Sequence, residues 1–196
     1  MDSKGVIGVF GGTFDPPHHG HLQVGRFVAA ELRLERILYI VANDPWQKTE
    51  KAIITNASDR LTMVELLLAD DDNLLASDVE IVLGGESITV QTLERLQLLY
   101  PGYDLKLILG YDAALGIETW RDYERIHEYS GVVVVDRPGQ LRELPAFFDK
   151  AERISGPYLD VSSADIKHRL KSGSSVGNLL PDEVKSYILE NSIYGE

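Results

Sequence analysis

The sequence predicts an α/β fold: a mainly parallel sheet with helices on both faces and a small helical portion at the C-terminus, about residues 162–196. Three observations carry this. Short apolar, β-branched runs recur along the chain, and most are separated by stretches whose apolar residues repeat at helical spacing. A glycine turn joins the first run directly to the first helical stretch. Strands that alternate with helices are joined by crossovers, so they run parallel and are covered on both faces.

The expected strands are Val6–Phe10, Ile37–Val41, Val79–Leu83, Leu105–Leu109 and Val132–Val135, each a short run rich in Val, Ile or Leu. The expected helices are Leu22–Leu34, where Val24, Phe27, Val28 and Leu32 recur at helical spacing, then Ser58–Ala69 and Thr89–Tyr100. An Asp112–Glu128 region, broken near Thr119, follows, with Ser163–Lys171 and Asp182–Asn191 at the end. Pro181 stands just ahead of the last helix, where a helix start tolerates it. The connection from Ala42 to Ala57 has little periodicity, and a loop of that length in a compact domain usually serves function.

A length of 196 residues suits a single domain, 1–196, with room for a proper core. The balance of 44% hydrophobic and 26% charged residues is that of a soluble globular protein. No apolar run approaches a membrane span and no secretory leader is visible, so no membrane partner and a cytoplasmic location are expected. The absence of cysteine excludes disulfides, thiolate metal sites and cysteine nucleophiles. A formal charge of −12 argues against a nucleic-acid partner, which calls for a basic surface. An anionic ligand would therefore need positive potential supplied locally, by helix ends and a few placed Lys, Arg and His residues.

Such a place is visible at Gly11-Gly12-Thr13-Phe14-Asp15-Pro16-Pro17-His18-His19-Gly20-His21. Glycines let the chain turn and let a phosphate approach the backbone. The unpaired N–H groups and the positive dipole end of the helix that follows form an anion site. His18 and His21, three apart on the first turn, can flank one bound group. At Ser162-Ser163-Ala164-Asp165 a serine can cap the next-to-last helix, with Asp165 completing a capping box. Lys167 and Arg169 exceed what capping needs and suggest a second anion site beside Ser163.

These segments together resemble the nucleotidyltransferase superfamily of Rossmann-like adenylyltransferases, whose signature is a histidine, a variable residue, a glycine and a second histidine: here His18, His19, Gly20 and His21. Within it the chain is most similar to the bacterial nicotinate-nucleotide adenylyltransferases, over nearly its full length. Pro45-Trp46-Gln47-Lys48, Asp59-Arg60-Leu61, the glycine-rich approach to Ile88-Thr89, Gly110-Tyr111-Asp112 with Trp120, and Asp136-Arg137-Pro138-Gly139 occur in that family's order. Val161-Ser162-Ser163-Ala164-Asp165-Ile166-Lys167 resembles its second signature. Ile88, Ala164 and Lys167 depart from the family's Tyr, Thr and Arg, and lysine gives up the bidentate fork of arginine.

The resemblance implies that AMP passes from ATP to nicotinate mononucleotide, a late step of NAD synthesis. His18 and His21 would be catalytic, holding the ATP phosphates over a cradle of Gly11, Gly12, Thr13 and Phe14. Ser162, Ser163 and Lys167 would take the outer phosphates, with Gly110, Asp112 and Arg137 completing the ATP site. Asp15, Lys48, Ile88, Thr89, Tyr111 and Trp120 would hold the mononucleotide. Mg²⁺ would be bound mainly through the ATP phosphates, without a protein metal site. Alternatives stay open: nicotinamide mononucleotide or another phosphorylated acceptor, or a non-catalytic nucleotide sensor on the same fold. Oligomeric state is not legible.

Overall fold

The computed structural model describes residues 4–46, 53–137, 143–157 and 159–195. Among the described residues six strands form one sheet: β1 (Val6–Gly12), β2 (Arg36–Val41), β3 (Leu74–Ser77), β4 (Asp104–Gly110), β5 (Gly131–Asp136) and β6 (Glu152–Ser155). Their spatial order is β3-β2-β1-β4-β5-β6, and every pairing is parallel. This is the doubly wound Rossmann order, in which the chain departs from β1 towards one edge and later returns to its other side at β4. Ligands in such sheets lie beyond the strands' C-terminal ends at that reversal, which here falls between Gly12 and Gly110.

Side chains alternate along each strand, and the two faces have separate cores. Phe10, Tyr39, Val41, Ile108 and Val133 pack beneath α1 (His19–Glu31), α2 (Ala57–Leu68), α7 (Ser163–Lys171) and α8 (Asp182–Glu190). Val9, Leu38, Leu107 and Val134 pack beneath α4 (Thr89–Leu99), α5 (Tyr111–Leu115) and α6 (Ile126–Tyr129). The Tyr187 hydroxyl donates to Asp59 at 2.9 Å and joins the C-terminal α8 to α2.

Four of the five expected strands are present within a residue or two of their bounds. Val79–Leu83 is instead the short helix α3, and the strand lies just before it at Leu74–Ser77. The reason is burial: only Val79 is buried and Ile81 packs partly on the core, while Val82 is 71% exposed, so the run lacks the alternating buried face of a strand. Gly84, at φ +70, then ends the helix in a backbone state that side-chain-bearing residues rarely adopt. The Asp112–Glu128 region breaks more finely than expected, into α5, two 3₁₀ turns at Ile117–Thr119 and Tyr123–Arg125, and α6. β6 is a polar edge strand with no apolar run to announce it.

Candidate active site

The C-terminal ends of β1, β2, β4 and β5 open on a cleft of about 910 Å³. Four helices begin at it. His18 is the N-cap of α1, Ile88 of α4, Gly110 of α5 and Ser162 of α7, and all four residues line the cleft. Helix N-termini carry unpaired N–H groups and partial positive charge. In a protein of net charge −12 these helix starts bring partial positive charge to the cleft.

The glycine–histidine loop is built tightly. Phe14 sits at φ +50 and turns its ring over Gly12, where a Cβ would stand 2.8 Å from the ring, so only glycine fits beneath it. A Cβ at Gly11 would meet nothing within 4 Å, because that position faces the open cleft. The His18 N–H donates to His21 Nδ1 at 3.2 Å, so the neutral His21 ring carries its proton on Nε2. The two imidazoles stack with centroids 3.7 Å apart. The Tyr39 hydroxyl donates to the His21 carbonyl at 2.9 Å and pins the turn from below.

Burial, then the nearby positive charges of His19 and Arg137, push the His18 imidazole down to about 4. Among the described residues no hydrogen-bond partner meets His18 Nδ1. A buried polar atom left so is costly, and a bound anion beside it would favour the imidazolium form.

Asp15 is 3% exposed and sits at the end of the same loop. Its carboxylate accepts from Lys167 Nζ at 2.9 Å and from the Tyr194 hydroxyl at 2.5 Å, with the Thr55 N–H at 3.5 Å. Burial alone would raise its pKa, but the Tyr194, Thr55 and Lys167 hydrogen bonds outweigh that and hold it below the ordinary carboxylate value. Ser163 Oγ donates to the Pro16 carbonyl at 2.8 Å, so α7 is tied directly to the glycine–histidine loop. Ser162 caps α7 through the Asp165 N–H at 3.1 Å. The reciprocal half of the expected capping box is replaced by an Asp165–Arg169 ion pair at 2.8 Å.

Gly11, Gly12, Thr13, Phe14, His18, His21, Gly110, Asp112, Arg137, Ser162, Ser163 and Lys167 all line this one cleft. Asp112 and Arg137 pair with each other at 2.9 Å across the ends of β4 and β5. Asp15, Ile88, Thr89 and Trp120 also line it, with Asp15 beside Lys167. Tyr111 does not; it is buried in the first turn of α5. Lys48 lies outside the described residues.

Sequence reasoning passed over three features. Arg60, though part of a recognised segment, was given no role; it is 1% exposed and bonds the carbonyls of Thr13, Asn43 and Thr55. Arg121 pairs with Glu86 and lies over the Trp46 ring, 4.8 Å from its centroid, at the cleft's rim. Glu80, also lining the cleft, accepts from Thr92 at 2.7 Å, and burial raises its pKa. Their polar character gives no signal, because charged residues on helices, like Arg60 and Glu80, and in turns, like Arg121, normally face solvent.

A family description, cytidylyltransferase-like, matches residues 9–169. The chain belongs to the cytidylyltransferase-like family. Within this family its relatives include a protein of Desulfitobacterium hafniense named "Probable nicotinate-nucleotide adenylyltransferase", 36% identical over 96% of this chain and 95% of the relative. A Corynebacterium glutamicum protein of the same name is 36% identical over 96% of this chain and 88% of its own length. The fold matches that of the Plasmodium falciparum nicotinic acid mononucleotide adenylyltransferase complexed with NaAD, with a TM-score of 0.80, 97% of each chain covered and 17% identity. At that identity the match concerns the fold alone.

Proposed function

We propose that this cytidylyltransferase-like protein transfers AMP from ATP to nicotinate mononucleotide, forming nicotinate adenine dinucleotide and pyrophosphate in NAD synthesis. The observation that carries this reading is the meeting of two helix starts on one cleft, joined where Ser163 Oγ bonds the Pro16 carbonyl. The stacked His18 and His21 stand at α1, and Ser162, Ser163 and Lys167 stand at α7. Both would face one bound triphosphate. Relatives 36% identical along nearly the whole chain bear the corresponding name.

The reaction asks little covalent chemistry of the protein. A phosphate oxygen of the mononucleotide attacks the α-phosphorus of ATP; the bond from that phosphorus to the bridging oxygen breaks, and its electrons leave with pyrophosphate. The nucleophile is already ionised, so no general base is required. The protein's task is alignment of two anions and stabilisation of the charge that grows on the leaving group. His18, His21 and the α1 N–H groups would hold the inner phosphates, and Lys167 with the α7 start would hold the outer ones. Gly110, Asp112 and Arg137 would border the adenosine.

The start of α4 at Ile88 and Thr89 lines the same cleft as Trp120. The N–H groups there suit the nicotinate carboxylate, and the Trp120 ring suits stacking on the pyridine. Among the described residues no three His, Asp or Glu side chains converge on a metal position, and both Asp15 oxygens are engaged. The resemblance implies Mg²⁺ carried by the triphosphate and water, where it would offset phosphate charge.

The test is pyrophosphate release with ATP and each acceptor in turn. Release with nicotinate mononucleotide well above that with nicotinamide mononucleotide or phosphopantetheine is expected. A preference for another acceptor would reassign the substrate, and no release with any would refute enzymatic transfer.

A further inference from the structure

The chain's last residues return to the phosphate end of the cleft, although nothing in their sequence announces it. After α8 the backbone passes through left-handed states at Ser192 (φ +51) and Tyr194 (φ +68), unfavourable for residues with side chains. The Ile193 N–H bonds back to Ile188, and Ile193 and Tyr194 pack on the core beneath α1 and α2. This strained turn brings the Tyr194 hydroxyl to Asp15 and Thr55: it donates to Asp15 Oδ1 and is also hydrogen-bonded to the Thr55 side chain.

Asp15 Oδ2 accepts from Lys167 Nζ, and that ammonium also lies 5.9 Å from the centre of the Tyr194 ring. Tyr194 thus touches both members of the buried pair, one through its hydroxyl and the other through its ring face. Asp15 and Lys167 line the cleft, and Tyr194 does not. A lysine ammonium is a point charge on four rotatable carbons, with no fixed fork to direct it. Its position has to be imposed from outside. Asp15 can impose it only while its other oxygen is satisfied, because a carboxylate 3% exposed with an unpaired oxygen would draw the ammonium across to bridge both.

We infer that Tyr194 is a positioning residue for the ATP phosphates: it occupies one oxygen of Asp15 and flanks Lys167, so that the ammonium is presented to the outer phosphates along a single line. The inference rests on the adenylyl-transfer reading. Tyr194→Phe removes the hydroxyl and keeps the ring's packing.

The experiment is a double-mutant cycle on steady-state kinetics with ATP and nicotinate mononucleotide. Tyr194→Phe is expected to lower kcat/KM for ATP about tenfold while changing KM for the mononucleotide by no more than about twofold. In a Lys167→Met background the same substitution is expected to cost nothing further, since the group it positions is gone. Asp15→Asn, which keeps the volume and loses the charge, is expected to lower kcat/KM for ATP in the same way and to cost nothing further on Lys167→Met. An unchanged kcat/KM in Tyr194→Phe, or a loss that multiplies undiminished on Lys167→Met, would overturn the inference and leave the proposed function standing. No turnover by the parent chain would overturn both.

Discussion

Replacing Arg60 by methionine tests whether the cleft's loops are held from below by one buried guanidinium. Its Nε donates to the Thr55 carbonyl at 2.8 Å, one terminal nitrogen to Thr13 at 2.8 Å and the other to Asn43 at 3.2 Å. Thr13 belongs to the glycine–histidine loop, and Asn43 and Thr55 to the connection between β2 and α2. Methionine fills much of the volume but leaves three carbonyls without that donor. Hydrogen bonds to charged groups contribute about 1.5–3 kcal/mol each, and three sharing one side chain are less than additive, so a loss of about 3–6 kcal/mol is expected. Arg60→Lys keeps the charge but reaches fewer of the carbonyls, and should lose roughly half as much. Urea unfolding at constant m-value measures both. A loss below about 1 kcal/mol in Arg60→Met would refute the reasoning, because it would mean that the carbonyls find water or other donors at little cost.

His18→Ala and His21→Ala should each lower kcat/KM for ATP by about ten- to a thousandfold with the fold intact, checked by steady-state kinetics and circular dichroism. In the free protein His18 titrates at about 4, so nucleotide binding that favours the imidazolium should take up protons near pH 5–6, read by calorimetry in buffers of different ionisation enthalpy. The same burial links His18 to stability. Its folded pKa lies below the unfolded 6.5, so its contribution is fully present above pH 6.5 and falls by up to about 3 kcal/mol as pH drops to 4, a slope that His18→Ala should remove from acid-unfolding curves. Gly25→Ala would drive a Cβ into the Tyr39 hydroxyl that supports His21. It should cost about 1–3 kcal/mol in thermal melts despite alanine's better helix propensity.

The sheet was legible where it is buried on both faces. Val6–Phe10, Leu105–Leu109 and Val132–Val135 are apolar because helices cover them from two sides, and such runs read plainly as strands. The reading fails at the edges. Leu74–Ser77 and Glu152–Ser155 flank the sheet with half-exposed, partly polar residues, so the neighbouring apolar run Val79–Leu83 drew the strand assignment instead. The glycine–histidine loop and the start of α7 were legible because their residue types suit helix-end anion sites. Their mutual contact was not. Ser163 on Pro16 and Lys167 on Asp15 are separated by about 150 positions, and Tyr194 on Asp15 by 179, distances along the chain at which no local pattern reports proximity.

Isotope fate tests adenylyl transfer most directly. With nicotinate mononucleotide present, label placed in the α-phosphate of ATP is expected in the dinucleotide product, and label placed in the γ-phosphate in free pyrophosphate, in equal molar amounts. Label from the γ-phosphate appearing in inorganic phosphate or on the mononucleotide, with none of the α-label in a dinucleotide, would contradict the account.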